Sequence, residues 1–302
     1  MSRKDDNKSL LGEIKEERKM KKYGRFLLFA LILCVGFLVR KTPVSAASYV
    51  ECNDYQGRVK AGNYYIWVED NTICYATSAS GAASTLVKTK SGTTVFNCVT
   101  NGSTVYYVNY AYNDSGTCNS YIYKYNIAKA KRTLLKKTTG ITSVTGFYAG
   151  AKTLYMIKGE KIVGLNVSTG KLSSIVSNIF GVYGMSGKYI VYNKSFKLYS
   201  YNVVSKTKKL ISSKLEAAVM YGSSVYYLEK TNDSYPAAMS FRTCKASGSS
   251  QKTIKAGLTG TSASLYNDAN GQLYLTIYDT SGKTNGGSWY YSLATGQFVT
   301  AD

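Results

Sequence analysis

Twelve carboxylates follow residue 46: Glu51, Asp54, Glu69, Asp70, Asp114, Glu160, Glu216, Glu229, Asp233, Asp268, Asp279 and Asp302. Two facing carboxylates are the minimum for glycoside hydrolysis. Glu69 and Glu229 each close a tyrosine-rich segment, Tyr64 to Val68 and Val225 to Leu228. Like positions in a repeated structure would carry both to one end of the molecule. Repetition alone also produces such a match, so the pair is a candidate and no more than that.

Other chemistries fall away on composition. The chain has no histidine, which excludes Ser-His-Asp and Cys-His nucleophilic sites and histidine-ligated metals. Gly164 to Leu172 has five residues between its glycines, and Leu172 stands where a phosphate-binding loop needs Ser or Thr for magnesium. Ser168-x-x-Lys171 and Ser205-x-x-Lys208 have serine–lysine spacing, but they fall in turns rather than at a helix start. Cys52, Cys74, Cys98, Cys118 and Cys244 follow the N-terminal region, with no CxxC among them. Their odd number leaves at least one thiol free. A bridge such as Cys98–Cys118 and buried, unbridged strand cysteines are equally compatible readings. No cofactor is expected.

The elements that must position these residues are short strands. From Gly187 to Ile211 a glycine leads into a strand, Tyr189 to Tyr192. Asn193-Lys194-Ser195 turns the chain, and a second strand runs from Phe196 to Asn202 with Phe196 and Leu198 on one face. A polar turn at Val204 to Lys206 and a third strand ending at Leu210-Ile211 follow. Period-two alternation between Gly, Asn, Ser and Lys clusters is a strand signal. The tyrosine-rich strand recurs after Gly62, Gly102, Gly150, Gly187, Gly222 and Gly271, a period of about 42 residues, which is in the range of propeller blades. Asn126, Asn166, Asn202 and Ser292 each precede a turn with hairpin chemistry. With an apolar stretch before each glycine, the expectation is an all-β chain of six four-stranded blades. Radial stacking would bury the sheet faces, and most tyrosines would pack between blades with hydroxyls at the rim. Longer connections at residues 109–121, 230–238 and 279–288 are where binding would be sought.

The glycine, Tyr-Tyr strand, Leu-Tyr-x-Tyr-Asn strand and Thr-Gly-Lys turn are carried best by Tyr106-Tyr107, Leu154-Tyr155, Leu198 to Asn202 and Tyr226-Tyr227. This pattern resembles bacterial extracytoplasmic β-propeller domains akin to the YWTD propeller of the low-density-lipoprotein receptor. The YWTD tetrapeptide itself is absent. The resemblance implies a non-catalytic envelope domain and transfers no site residues. The stretch from Gly286 to Thr300 also resembles one aromatic repeat of bacterial wall-binding modules, in a single copy.

Residues 1–46 form a separate region. A positive segment leads into an apolar run over residues 26–39, then Arg40-Lys41 and Val44-Ser45-Ala46. This describes an export signal cleaved after Ala46, or a retained single-span anchor. Either places residues 47–302, the expected propeller, at the cell surface or outside the cell, with membrane contact only through residues 26–39 if uncleaved. The net charge is +21, of which +6 falls in residues 1–46. Such a surface suits solubility or attraction to wall polymers and anionic headgroups rather than nucleic acid. The function expected is a non-catalytic binding or scaffolding module with a protein or polysaccharide ligand at the envelope. The alternatives are a carbohydrate-active enzyme using Glu69 and Glu229, and a wall-polymer-binding module.

Overall fold

The computed structural model describes residues 49–53, 57–267, 272–283 and 286–301. The expected signal or anchor segment over residues 26–39, a hydrophobic helix by that reading, and the boundary at residue 46 lie outside the described residues. The described chain is β-strand throughout, apart from turns and one 3-10 turn at Ala149–Ala151. A first strand, β1 (Val50–Asn53), precedes six blades. Blade 1 comprises β2 (Val59–Ala61), β3 (Tyr64–Glu69), β4 (Thr72–Ala76) and β5 (Ser84–Lys88). Blade 2 comprises β6 (Asn97–Thr100), β7 (Thr104–Tyr112), β8 (Cys118–Asn126) and β9 (Lys131–Thr139). Blade 3 comprises β10 (Ile141–Tyr148), β11 (Thr153–Lys158), β12 (Lys161–Asn166) and β13 (Leu172–Ser177). Blade 4 comprises β14 (Gly181–Ser186), β15 (Tyr189–Lys194), β16 (Lys197–Asn202) and β17 (Thr207–Ser212). Blade 5 comprises β18 (Leu215–Tyr221), β19 (Ser224–Lys230), β20 (Ala237–Lys245) and β21 (Lys252–Gly260). Blade 6 comprises β22 (Ser262–Asn267), β23 (Gln272–Tyr278), β24 (Gly287–Ser292) and β25 (Phe298–Thr300). Each blade is an antiparallel meander in sequence order. The architecture is a six-bladed β-propeller.

The turns between third and fourth strands follow the sequence signals. Asn126 Oδ1 accepts from the Lys129 N–H, Asn166 Oδ1 from Ser168 and Thr169, and Asn202 Oδ1 from Val204 and Ser205. Each asparagine satisfies turn amides that no strand partner reaches. The hairpin between second and third strands of blade 4 differs from expectation. β15 runs on through Asn193 and Lys194, and the turn is Ser195-Phe196, both at positive φ (50° and 56°). Phe196 therefore stands 79% exposed at the tip and does not share the inward face of Leu198. Asn-Gly normally announces such a two-residue turn, and this hairpin has none.

Neighbouring blades are sealed by the inward faces of their strands. Ile66 and Ile73 of blade 1 join Val105 and Tyr107 of blade 2 in one core. Ile122 of blade 2 packs with Leu154 and Met156 of blade 3, and Ile162 of blade 3 with Ile190 and Tyr192 of blade 4. Leu198 of blade 4 packs with Tyr227 of blade 5, and Phe241 of blade 5 with Leu275 of blade 6. Each fully buried aliphatic side chain contributes about 1.5–3 kcal/mol. The first strands also approach closely: Met185 lies where a Cβ on Gly146 would stand, and Met220 lies beside Gly184. The expectation of rim hydroxyls fails at Tyr227, which is fully buried with its hydroxyl unpartnered among the described residues. Burial pushes that phenol up to about 12.

One strand departs from the six-blade pattern expected. β1 pairs antiparallel with β6, Val50 opposite Thr100 and Asn53 opposite Asn97, so blade 2 has five strands. It also touches β2, β3 and β10. Its side chains alternate: Val50 and Cys52 join the core between blades 1 and 2, and Tyr49 joins the core between blades 2 and 3.

Candidate functional site

The first strands of the blades face the middle of the ring, and the wall they make there is interrupted by a cavity of about 540 Å³. Small-molecule sites commonly occupy roughly 300–1,000 Å³. The lining comes from Tyr49 to Glu51 of the β1 segment, Arg58 to Lys60, Tyr183 to Gly187, Met220 to Ser223, and Asn267. These are mostly the places where a first strand turns into a second, so the cavity belongs to that end of the ring.

Glu51 is the single acidic side chain among the described lining residues. The alternation of β1 turns it away from the core that holds Val50 and Cys52. Asn97 Nδ2 donates to Glu51 Oε1 at 2.6 Å. The same amide donates to the Val144 carbonyl at 2.7 Å and accepts from the Val144 N–H at 3.0 Å. Asn97 thereby ties β6 to β10 and fixes the carboxyl through contacts that span two blades. The surface of Glu51 is partly accessible, but that surface faces the cavity, and protein surrounds the carboxyl on nearly all sides. Burial raises its pKa to about 7, and the Asn97 hydrogen bond only partly opposes the rise.

Aromatic groups hold the wall around it. Tyr49 packs on Phe147 at 4.6 Å between ring centroids, and Phe147 stacks on Tyr106 at 4.6 Å and 13°. Burial raises the Tyr49 phenol, and pushes the Tyr183 phenol up to about 12, so both stay neutral donors at physiological pH. The head of Arg58 is engaged elsewhere. It lies 4.3 Å over the Trp67 ring and donates to the Ala79 and Gly81 carbonyls at 2.8 and 2.6 Å. Lys60 is exposed at the cavity wall. The arrangement can accept a small ligand with hydrogen-bonding groups, and can give or take one proton near neutral pH.

The residues singled out from sequence lie at the opposite end of the blades. Glu69 ends β3 and Glu229 lies near the end of β19, both beside turns between second and third strands. They stand on blades 1 and 5, with blade 6 between them. Glu69 accepts from Trp67 Nε1 at 3.0 Å, and Glu229 binds Arg242 at 2.5 Å. The structure does not assemble them into a pair. The three long connections are at that end too, and residues 109–121 mostly extend β7 and β8 rather than forming a loop.

The Cys98–Cys118 bridge is not formed, and all five described cysteines are free. Cys98 is opposite Tyr107, while Cys118 is opposite Tyr112 on the same strand. Five residues of strand separate those positions by about 17 Å, far beyond the reach of a disulfide.

Sequence reasoning passed over Glu51 because its strand pairs with β6, some 46 residues away along the chain. The available signal was the short alternation Tyr49-Val50-Glu51-Cys52 ahead of the first glycine.

The chain matches no family model and no curated protein. Among solved structures it is similar to dipeptidyl peptidase 4 of Porphyromonas gingivalis, with a TM-score of 0.50 and 10% identity over 83% of this chain and 47% of that one. It is also similar to TolB of Acinetobacter baumannii, at TM-score 0.43 and 12% identity over 83% of this chain and 61% of that one. An oligogalacturonate lyase in complex with manganese gives 0.46 and 8%, over 83% and 78%. The chain spans about half the length of the peptidase. The likeness reaches the β-propeller class and no particular kinship within it. It corrects the expectation of a protein without catalysis, which rested on the resemblance and on the missing catalytic residues: the same fold occurs in a peptidase.

Proposed function

We propose that the protein is a ligand-binding propeller of the cell envelope whose central cavity takes a saccharide unit of a surface polysaccharide. The observation that carries this is Glu51, held by Asn97 in a cavity walled by Tyr49, Tyr183 and Tyr221. Tyrosine faces with a few fixed polar groups suit a sugar, which offers both C–H faces and hydroxyls. The export segment and the excess of basic residues support the location, since wall polymers are commonly anionic.

Titration calorimetry of the full chain against purified wall-polysaccharide fragments is the test. Binding should change between pH 6 and 8 in the wild type as Glu51 ionises. In Glu51→Gln it should lose that pH dependence, and in Tyr183→Ala it should weaken about tenfold or more. Glycan binding that both variants retain unchanged would remove the cavity from this role.

A second reading is favoured by the same carboxyl. A pKa of about 7 is where a general acid or base works best at neutral pH. Product formation from the same fragments, abolished in Glu51→Gln while binding persists, would convert the binding site into an active site.

A further inference from the structure

We infer that Cys52 and Cys98 are the sites of a disulfide that staples β1 to the inner edge of blade 2. The two residues are directly opposite each other in the β1–β6 ladder. Directly opposed residues of an antiparallel pair have Cα atoms about 4.5–5.5 Å apart, inside the roughly 4.4–6.8 Å range a disulfide spans. Both side chains are fully buried and point into the same core between blades 1 and 2. Cys98 also has its thiol pushed well up, first by hydrogen bonding to Cys52 and then by burial, as the shared core and opposed register would produce.

The other described cysteines have no such neighbour. Cys118 is on β8 opposite the far end of β7, Cys74 is in a separate cluster with Trp67 and Ala76, and Cys244 is in blade 5. The pair also stands at a place where a covalent tie has a mechanical purpose. β1 is four residues long and adds to its blade along one edge only, ahead of blade 1 in the chain. Cross-linking it encloses the whole of blade 1 in a covalent loop. It also fixes Glu51, the residue preceding Cys52, against the cavity.

The reaction needs an oxidant, and a disulfide compound supplies it. One thiol loses its proton and attacks a sulfur of that disulfide, releasing one reduced thiol. The second thiolate then attacks the resulting mixed disulfide at the protein sulfur and releases the other. One protein S–S bond forms, two protons leave, and one oxidant disulfide becomes two thiols. Because both thiols are shielded once β1 is seated, the exchange belongs to folding, before the strand closes over them. The finished bond is shielded from reductants in the same way.

The test is to refold the full chain in mixed oxidised and reduced glutathione, block free thiols, digest with trypsin without reduction, and weigh the peptides. Residues 42–58 should be joined to residues 91–124, lighter by two hydrogens than the separate pair. Cys98 and Cys118 share that second peptide, so Cys118→Ser is measured in parallel. The link should survive in Cys118→Ser and vanish in Cys98→Ser and Cys52→Ser. Mapping of the wild type with Cys118→Ser is sufficient should either of the latter variants misfold. Free residues 42–58, a link from them to residues 61–88, or loss of the link in Cys118→Ser would overturn the inference.

Discussion

The two ends of the ring are built on different terms. At the turn between the first and second strands of blade 2, backbone meets backbone: a Cβ on Gly102 would stand 2.2 Å from the Ala61 carbonyl oxygen of blade 1, whereas the corresponding Gly187 and Gly222 have open space. The Glu51 cavity belongs to this end. Where second strands turn into third, the chain is loose and exposed. A Cβ on Gly116 would meet nothing within 4 Å, and Phe196 projects into solvent. The lesson is that length and variety of loops do not locate a site. The long connections gather at one end, while the carboxyl of Glu51, whose pKa burial raises to about 7, is set into the other.

Substitutions should separate the two ends. Gly102→Ala breaks a turn at φ +82° and drives a methyl into a backbone oxygen that cannot step aside. It should destabilise the fold by about 3 kcal/mol or more, measured by urea denaturation. Gly116→Ala, at φ +74° in open space, should cost only about 1 kcal/mol. Equal losses at both positions would erase the contrast.

Glu51 gives an effect of intermediate size and defined sign. Its folded pKa is about 7, above the ordinary carboxyl value of 4.5. The folded state thus holds the proton more tightly, and stability falls as pH rises from about 4.5 to about 7, then levels off. The shift corresponds to at most about 3 kcal/mol, less where water in the cavity screens the charge. Glu51→Gln should flatten this slope and be more stable than wild type at pH 8. A wild type whose stability rises over that window would place the carboxyl in contact with a cation instead.

The smallest effect belongs to the open end. Phe196→Gly removes an exposed side chain and relieves a φ of 56°, so stability in a thermal melt should rise by up to about 1 kcal/mol. A loss would show that the ring is covered by something in the folded protein.

Much of the ring was readable because it depends on near neighbours in sequence. A hairpin is specified by its own alternation and its own turn, as at Asn166 and Asn202, whose side chains bind the amides two and three residues on. Six copies of the glycine and tyrosine-rich strand carried blade number and class. Phe196 escaped because the turn type there is imposed by the register of its strands, Asn193 opposite Leu198 and Lys194 opposite Lys197, rather than by turn residues.

By itself the amino-acid order determined the six four-stranded blades and most of their hairpins, since each needs only period-two burial and a nearby turn. The tertiary structure alone decided where β1 goes, which thiols meet and which carboxyl loses its water. Those outcomes depend on β1 pairing with β6 and on blade 2 packing against blade 3, which bring Glu51 to Asn97, Asn97 to Val144, and Cys52 to Cys98. No local pattern encodes a partner that distant along the chain.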